Sequence, residues 1–290
     1  MAEIQYAAPE TVAAAVKALA AGKGRAKVLA GGTDLLVQLR AGRISPDVIV
    51  DIKKIPELRK VKKDKGGFRI GAAVSGQELG ENAEFRADWP GVLEGFELIG
   101  STQVQGRASL GGNLCNGSPA ADGVPGLIAA GATVTIAGPK GEREENVEDV
   151  VTGPGQTSLK AGEFVVSINL PKRGKRGGDA YLRFIPRTEM DIAVVGAAVS
   201  MTLDAKGVCT DARVSLGAVA PRPLLVKAAG KALVGTKVDD AALDALAAAA
   251  SAACSPIDDK RGTIEFRTKV AGVLARRAAL IALERARNNA

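Results

Sequence analysis

Two short stretches carry residue types suited to gripping an anion. Ala30-Gly31-Gly32-Thr33-Asp34-Leu35 sits between a short apolar run and the start of a helical pattern. Paired glycines let the backbone turn sharply and approach a ligand closely, and the free N–H groups at a helix start attract negative charge. Thr33 adds a hydroxyl donor. Asp34 would either join the site or cap the helix, and a plain Gly-Gly turn also accounts for the stretch. The pattern is neither a Walker A loop, since no Gly-Lys-Ser/Thr follows, nor GxGxxG. The second stretch is Ser109-Leu110-Gly111-Gly112-Asn113-Leu114-Cys115-Asn116-Gly117-Ser118-Pro119-Ala120-Ala121-Asp122. It sets three glycines, two asparagines, two serines and one aspartate within fourteen residues, ahead of an apolar helical pattern. Small hydrogen-bonding groups at that density suit an extended polar ligand with phosphates and a ribose. A long structured turn is the alternative.

Other chemistries are excluded by composition. Histidine is absent, so no Ser-His-Asp or Cys-His catalytic arrangement and no His-ligated metal or haem can form. Cys115, Cys209 and Cys254 lie far apart with no CxxC. They fall short of the ligands an iron–sulfur cluster needs, and a disulfide framework is not expected, which favours a reducing compartment. The segment Met1 to Tyr6 lacks the basic and apolar regions of a signal peptide. The Ala-rich run 241–253 is too short to cross a bilayer and is flanked by Asp239, Asp240 and Asp244. A soluble, cytoplasmic protein is expected. The formal charge is +7, with basic residues concentrated at Lys53-Lys54, from Arg59 to Lys65 and from Lys172 to Arg176. Aromatics do not interleave with them as nucleic-acid stacking requires, so they read as solvated faces or a protein-docking surface.

The elements that must position the two loops follow from periodicity. The 290 residues suggest two domains at roughly 100–200 residues each. With six Phe, one Trp and two Tyr against 35 Gly, the core is built from Ala, Val, Leu and Ile. A helix from Pro9 to Gly22 carries Val12, Val16 and Leu19, and Lys27–Ala30 reads as a buried strand. A helix from Leu35 to near Gly42 and a strand over Asp47–Asp51 complete a βαβ unit with a glycine turn at its crossover. A hairpin is expected over 59–73, helices near 76–82, 89–99 and 125–130, and strands over 132–137 and 163–170, with 109–122 irregular. Pro171 to Gly178 is basic, glycine-rich and free of apolar side chains, as an exposed loop or domain boundary would be. Beyond it come strands over 192–203 and 208–219 and helices over 241–253 and 264–286.

The two loops, in this order and at this spacing, resemble the FAD-binding (medium) subunits of the xanthine dehydrogenase/carbon monoxide dehydrogenase family of molybdenum hydroxylases. Tyr181-Leu182-Arg183-Phe184 through Arg187 and Met190-Asp191-Ile192-Ala193 carry the likeness further, and it runs essentially end to end. The resemblance implies an α+β fold, with a two-lobed PCMH/vanillyl-alcohol-oxidase-type FAD-binding domain and a smaller α+β C-terminal domain. The domains would span 1–173 (lobes about 1–55 and 56–173) and 178–290. It implies that Ala30, Gly31, Gly32, Thr33, Asp34 and Leu35 hold the FAD diphosphate from one side. Ser109, Gly111, Gly112, Asn113 and Ser118 would hold it from the other. Asp122 would accept from the ribose or adenine portion, Val165 would supply an apolar contact, and Tyr181 would cover the ring. Arg183 would stand near the isoalloxazine, where a cation favours the anionic reduced flavin; an ordinary strand-edge charge is the alternative. Gln105 departs from the Arg of many members. Cys115 fits packing better than redox chemistry.

The implied function is that of a FAD-carrying electron-transfer subunit. The implied partners are a large molybdopterin-binding subunit and a small [2Fe-2S] subunit, assembled as a dimer of heterotrimers. This chain would receive electrons from the iron–sulfur partner and pass them to an external acceptor. A self-contained flavin oxidase or reductase and a non-catalytic nucleotide-binding module are the rival readings.

Overall fold

In a computed structural model the chain is described over residues 4–289, which leaves Met1–Glu3 of the N-terminal segment read above outside the described residues. The first lobe holds β1 (Gln5–Ala7), α1 (Val12–Ala21), β2 (Ala26–Leu29), α2 (Leu35–Arg40) and β3 (Val48–Asp51). The strands pair in parallel in the order β1-β3-β2. Thr11 caps α1 by accepting from the Ala14 amide at 3.2 Å, and α1 buries Ala15 and Leu19, four residues apart, in a cluster with Val50 and Ile52. The expected βαβ unit is present. The added strand β1 is short and half exposed, so no alternation announces it.

The second lobe begins with the hairpin β4 (Val61–Asp64) and β5 (Gly67–Gly71). It continues through α3 (Gly76–Gly80), α4 (Ala83–Asp88), α5 (Pro90–Glu97), α6 (Thr102–Gln105), α7 (Leu110–Cys115) and α8 (Gly123–Ala129). Then come β6 (Thr133–Gly138), β7 (Gly141–Asn146), α9 (Val147–Val150), β8 (Val151–Gly153), β9 (Gln156–Thr157) and β10 (Phe164–Pro171). An antiparallel sheet runs in the order β4-β5-β10-β6-β7. Its core gathers four of the chain's nine aromatics: Phe68, Phe85, Trp89 and Phe96 are all buried there, and Phe68 meets Phe85 edge-on at 5.2 Å. One expectation is corrected. Residues 110–115 are helical, not irregular, because Ser109 caps the turn and Leu110 and Leu114 bury one face, overriding the poor helix propensity of Gly111 and Gly112.

The third region is the meander β11 (Gly177–Phe184), β12 (Val195–Leu203), β13 (Cys209–Gly217) and β14 (Leu224–Leu225), packed with α10 (Lys227–Leu233), α11 (Asp240–Ala252) and α12 (Ile264–Asn288). Here the shortage of large side chains becomes close approach. A Cβ on Gly178 would lie 2.1 Å from the Ala282 carbonyl, and one on Gly272 would lie 2.7 Å from the Ala247 carbonyl. Ala271, Ala275, Ala278, Ala282 and Ala286 bury the contact face of α12.

The seam between the second lobe and this region joins a small apolar cluster of Ala129, Tyr181 and Ala198 to several buried polar contacts. Asp179 on β11 accepts from the Val92 amide at 3.2 Å. Arg285 bonds Glu94 and the Asp179 carbonyl, and Arg173 lies over the Trp89 ring at 3.9 Å. The segment 171–178 is therefore not wholly an exposed loop. The Arg173 side chain is only 6% exposed and pairs with Asp179 at 2.7 Å.

Candidate functional site

The first glycine loop leaves the end of β2 and turns into α2. Gly32 holds φ +81°, a left-handed conformation that glycine adopts without strain. The second loop enters α7, where the Ser109 hydroxyl accepts from the Gly112 amide at 3.1 Å and the Ser109 carbonyl accepts from the Asn113 amide at 2.9 Å. The two loops touch. A Cβ on Gly31 would stand 2.0 Å from the Arg107 carbonyl oxygen, so backbone lies on backbone immediately before the second motif. Gln38 of α2 donates to Asn116, just past α7, at 3.0 Å.

Gly112 differs from Gly31. A Cβ there would meet only the Ser109 hydroxyl at 3.2 Å and the Ala30 methyl at 4.0 Å. Around Gly112 the two loops therefore present backbone and small side chains without bulk. Such a cradle fits a diphosphate, whose oxygens need many short donors and no bulk. Gly111 does other work: its Cβ would lie 2.7 Å from the Ala72 carbonyl, so its lack of a side chain lets α7 pack closely.

The remaining motif residues divide by what they touch. Asp34 is exposed and makes no side-chain cap to α2, so it is not a helix cap. Asn113 accepts from the Gly123 amide at 3.1 Å through its side-chain oxygen, leaving its NH₂ to offer outward. Ser118 accepts from the Ala120 amide at 3.2 Å in a local turn. Thr33 and Leu35 are half-buried on the first loop. Val165 is buried in the same cluster as Leu110 and Leu114. Cys115 packs against that cluster, and burial pushes its thiol up to about 12, as suits packing rather than redox chemistry. Gln105 donates to the Glu97 carbonyl at 2.6 Å and fits its site without an ion pair.

Asp122, Tyr181 and Arg183 are brought together, away from solvent. The Tyr181 hydroxyl donates to one Asp122 oxygen at 2.7 Å. Arg183 donates to the other at 2.9 Å and to the Leu98 carbonyl at 2.9 Å. The Arg183 and Asp122 side chains are 4% and 8% exposed. Burial raises the Asp122 pKa, and the charge of Arg183 and the two hydrogen bonds offset this only in part. Both carboxylate oxygens expected to serve a ribose are thus engaged by protein groups here. Arg183 is a buried cation rather than a strand-edge charge.

Among the described residues no cluster of three or more His, Cys, Asp or Glu is arranged to hold a metal, and no helix is long and apolar enough to cross a membrane.

Comparison with known proteins shows the family. A family model described as the FAD-binding domain in molybdopterin dehydrogenase matches residues 2–173, and one described as the CO dehydrogenase flavoprotein C-terminal domain matches residues 180–282. The carbon monoxide dehydrogenase medium chain of Afipia carboxidovorans is 35% identical, covering 98% of both chains. The xanthine dehydrogenase FAD-binding subunit of Escherichia coli O157:H7 is 31% identical, covering 90% of both. The structure of reconstituted CO dehydrogenase from Oligotropha carboxidovorans contains a chain that superposes with a TM-score of 0.94 at 34% identity, covering 98% of each. The chain belongs to the FAD-binding medium subunits of the molybdopterin dehydrogenases, a family of oxidoreductase flavoproteins.

Proposed function

We propose that this chain is the electron-transfer subunit of a molybdenum hydroxylase, with the FAD diphosphate gripped between the Ala30–Leu35 and Ser109–Asn113 loops. The observation that carries this is the contact of Gly31 with the Arg107 carbonyl, beside a wall of small groups at Gly112, whose nearest neighbours are the Ser109 hydroxyl and the Ala30 methyl. Gly31, Gly32 and Thr33 contribute backbone donors and a hydroxyl. Asn113 contributes its side-chain NH₂. Asp34 offers carboxyl oxygens, which suit a ligand hydroxyl rather than a phosphate oxygen. Bound FAD supplies an acceptor that takes electrons singly or in pairs; the protein binds and orients it.

In this reading a large molybdopterin-binding subunit and a small iron–sulfur subunit are the partners, in a cytoplasmic dimer of heterotrimers. Relatives named as medium chains and FAD-binding subunits support multi-subunit assembly. In this reading the domains span 1–173 and 178–290, which the family-model matches to residues 2–173 and 180–282 support. Asp122, Tyr181 and Arg183 fix the C-terminal domain against the loop-bearing lobe.

The test is Gly112→Val. A Cβ at this position meets no backbone atom, only the Ser109 hydroxyl and the Ala30 methyl, so the chain is expected to fold while the side chain fills the phosphate approach. Wild-type protein is expected to bind about one FAD per chain, in keeping with a single cradle, and the variant to purify folded without flavin. Normal flavin content in the variant contradicts the loop assignment.

A further inference from the structure

One side chain outside both glycine motifs grips the first loop where it leaves the sheet. Leu29 and Asp51 are register partners at the carboxyl ends of parallel strands β2 and β3, so Asp51 emerges beside Ala30. A short 3-10 turn, Ile52–Lys54, follows. Its cap is Asp51, which accepts from the Lys53 amide at 3.0 Å. The Lys53 ammonium then donates to the same Asp51 oxygen at 2.7 Å and to the Ala30 carbonyl at 2.9 Å. From β1, the Tyr6 hydroxyl donates to the second Asp51 oxygen at 2.7 Å. All three strands of the parallel sheet thus converge on the peptide that opens the loop.

That peptide needs holding. Its amide belongs to Gly31, and Gly31 and Gly32 give the chain more conformational freedom than any other pair in the loop. The peptide is planar and trans, so the direction of the Ala30 carbonyl fixes the Gly31 N–H on the opposite side. Flipped, it would turn a carbonyl where an amide is needed, setting partial negative charge against a phosphate.

We propose that Lys53 is a positioning residue for the cofactor: by holding the Ala30 carbonyl it presets the Gly31 amide toward the diphosphate, with Asp51 and Tyr6 orienting the ammonium. This rests on the diphosphate reading of the loops. Lys53 acts through Ala30 and not on the flavin. It differs from the dispersed surface lysines by its burial, with its side chain 25% exposed and that of Asp51 11% exposed.

The test measures FAD affinity of the apoprotein by quenching of FAD fluorescence, beside its thermal midpoint and the flavin potential of the loaded chain. Lys53→Met is expected to weaken FAD about tenfold, the scale of a charge-assisted hydrogen bond acting through the loop. Lys53→Arg restores most of the loss, since it keeps a cationic donor. Tyr6→Phe loses about two- to threefold, the scale of a neutral hydrogen bond. The flavin potential stays at the wild-type value throughout, because the change lies at the diphosphate end.

Wild-type affinity in Lys53→Met overturns the proposal, as does equal loss in the Met and Arg variants. If Lys53→Met does not fold, Tyr6→Phe decides alone: its ring is already 63% exposed, and unchanged FAD affinity there overturns the proposal. Failure of the wild-type apoprotein to bind FAD is a separate result, which brings down the cofactor reading and this inference with it.

Discussion

The loop cradle and the domain seam solve opposite problems with opposite materials. The proposed cradle is made by leaving side chains out: Gly31 lies on the Arg107 carbonyl and Gly112 has only the Ser109 hydroxyl and the Ala30 methyl near it. The seam is made by burying charge. Arg183 and Asp122 pair at 2.9 Å and Arg173 and Asp179 at 2.7 Å, with all four side chains no more than 8% exposed. Backbone donors bring a strong field for an anion without a charge that must be desolvated first. Buried ion pairs contribute little net stability but penalise every arrangement that separates the partners. In the proposed reading the cradle recognises the cofactor and the seam registers the domains.

Substitutions separate the two roles, and the largest effect belongs to Gly31. Gly31→Val places a branched side chain against the Arg107 carbonyl and should prevent stable folding, where Gly112→Val only empties the cradle; soluble expression and far-UV circular dichroism of the pair check this. A folded, FAD-loaded Gly31→Val protein would show that the loops do not touch. Next is Arg183→Leu, which strands the buried Asp122 carboxylate and should cost about 3–5 kcal/mol of stability, read by urea denaturation. A loss within 1 kcal/mol would remove this pair from the seam.

The smallest effect is one of pH. Burial pushes the Asp179 carboxyl from 3.8 up to about 6, although the Arg173 charge and the Gly91–Val92 peptide amide work to lower it. The folded chain then binds this proton more tightly than the unfolded chain. The stability it contributes is full below about 4 and is lost as pH rises through about 6. Asp179→Asn removes the titration, so the stability difference between wild type and variant should shift against the wild type from pH 4 to pH 6.5. Thermal midpoints across that range check it, and a constant difference contradicts it.

The two glycine loops stood out in the sequence for a chemical reason: runs of Gly, Asn, Ser and Thr are costly to keep unless a turn or ligand needs them. The elements bearing them were legible through spacing, as with Ala15 and Leu19 on α1 or Phe68 and Ile70 on β5. The rest escaped for physical reasons. β7 reads Gly-Glu-Arg-Glu-Glu-Asn and is an edge strand facing water, where charges protect against edge-to-edge pairing and erase the apolar alternation. α7 hides behind its glycines, since tertiary packing of Leu110 and Leu114 makes it a helix. Arg173 sits in a run of basic and glycine residues that signals a solvated loop, and only the Trp89 ring and Asp179 across the seam reveal its burial. Lys53 carries no local mark either, because the Ala30 carbonyl reaches it only through the pairing of β2 with β3.

The most direct measurement is a crystal structure of the FAD-loaded chain. The account places the cofactor's diphosphate between Gly31-Gly32 and Gly112-Asn113, with the Ala30 carbonyl still on Lys53. Density for the diphosphate against any other part of the surface, or the two glycine turns drawn apart around it, would contradict it.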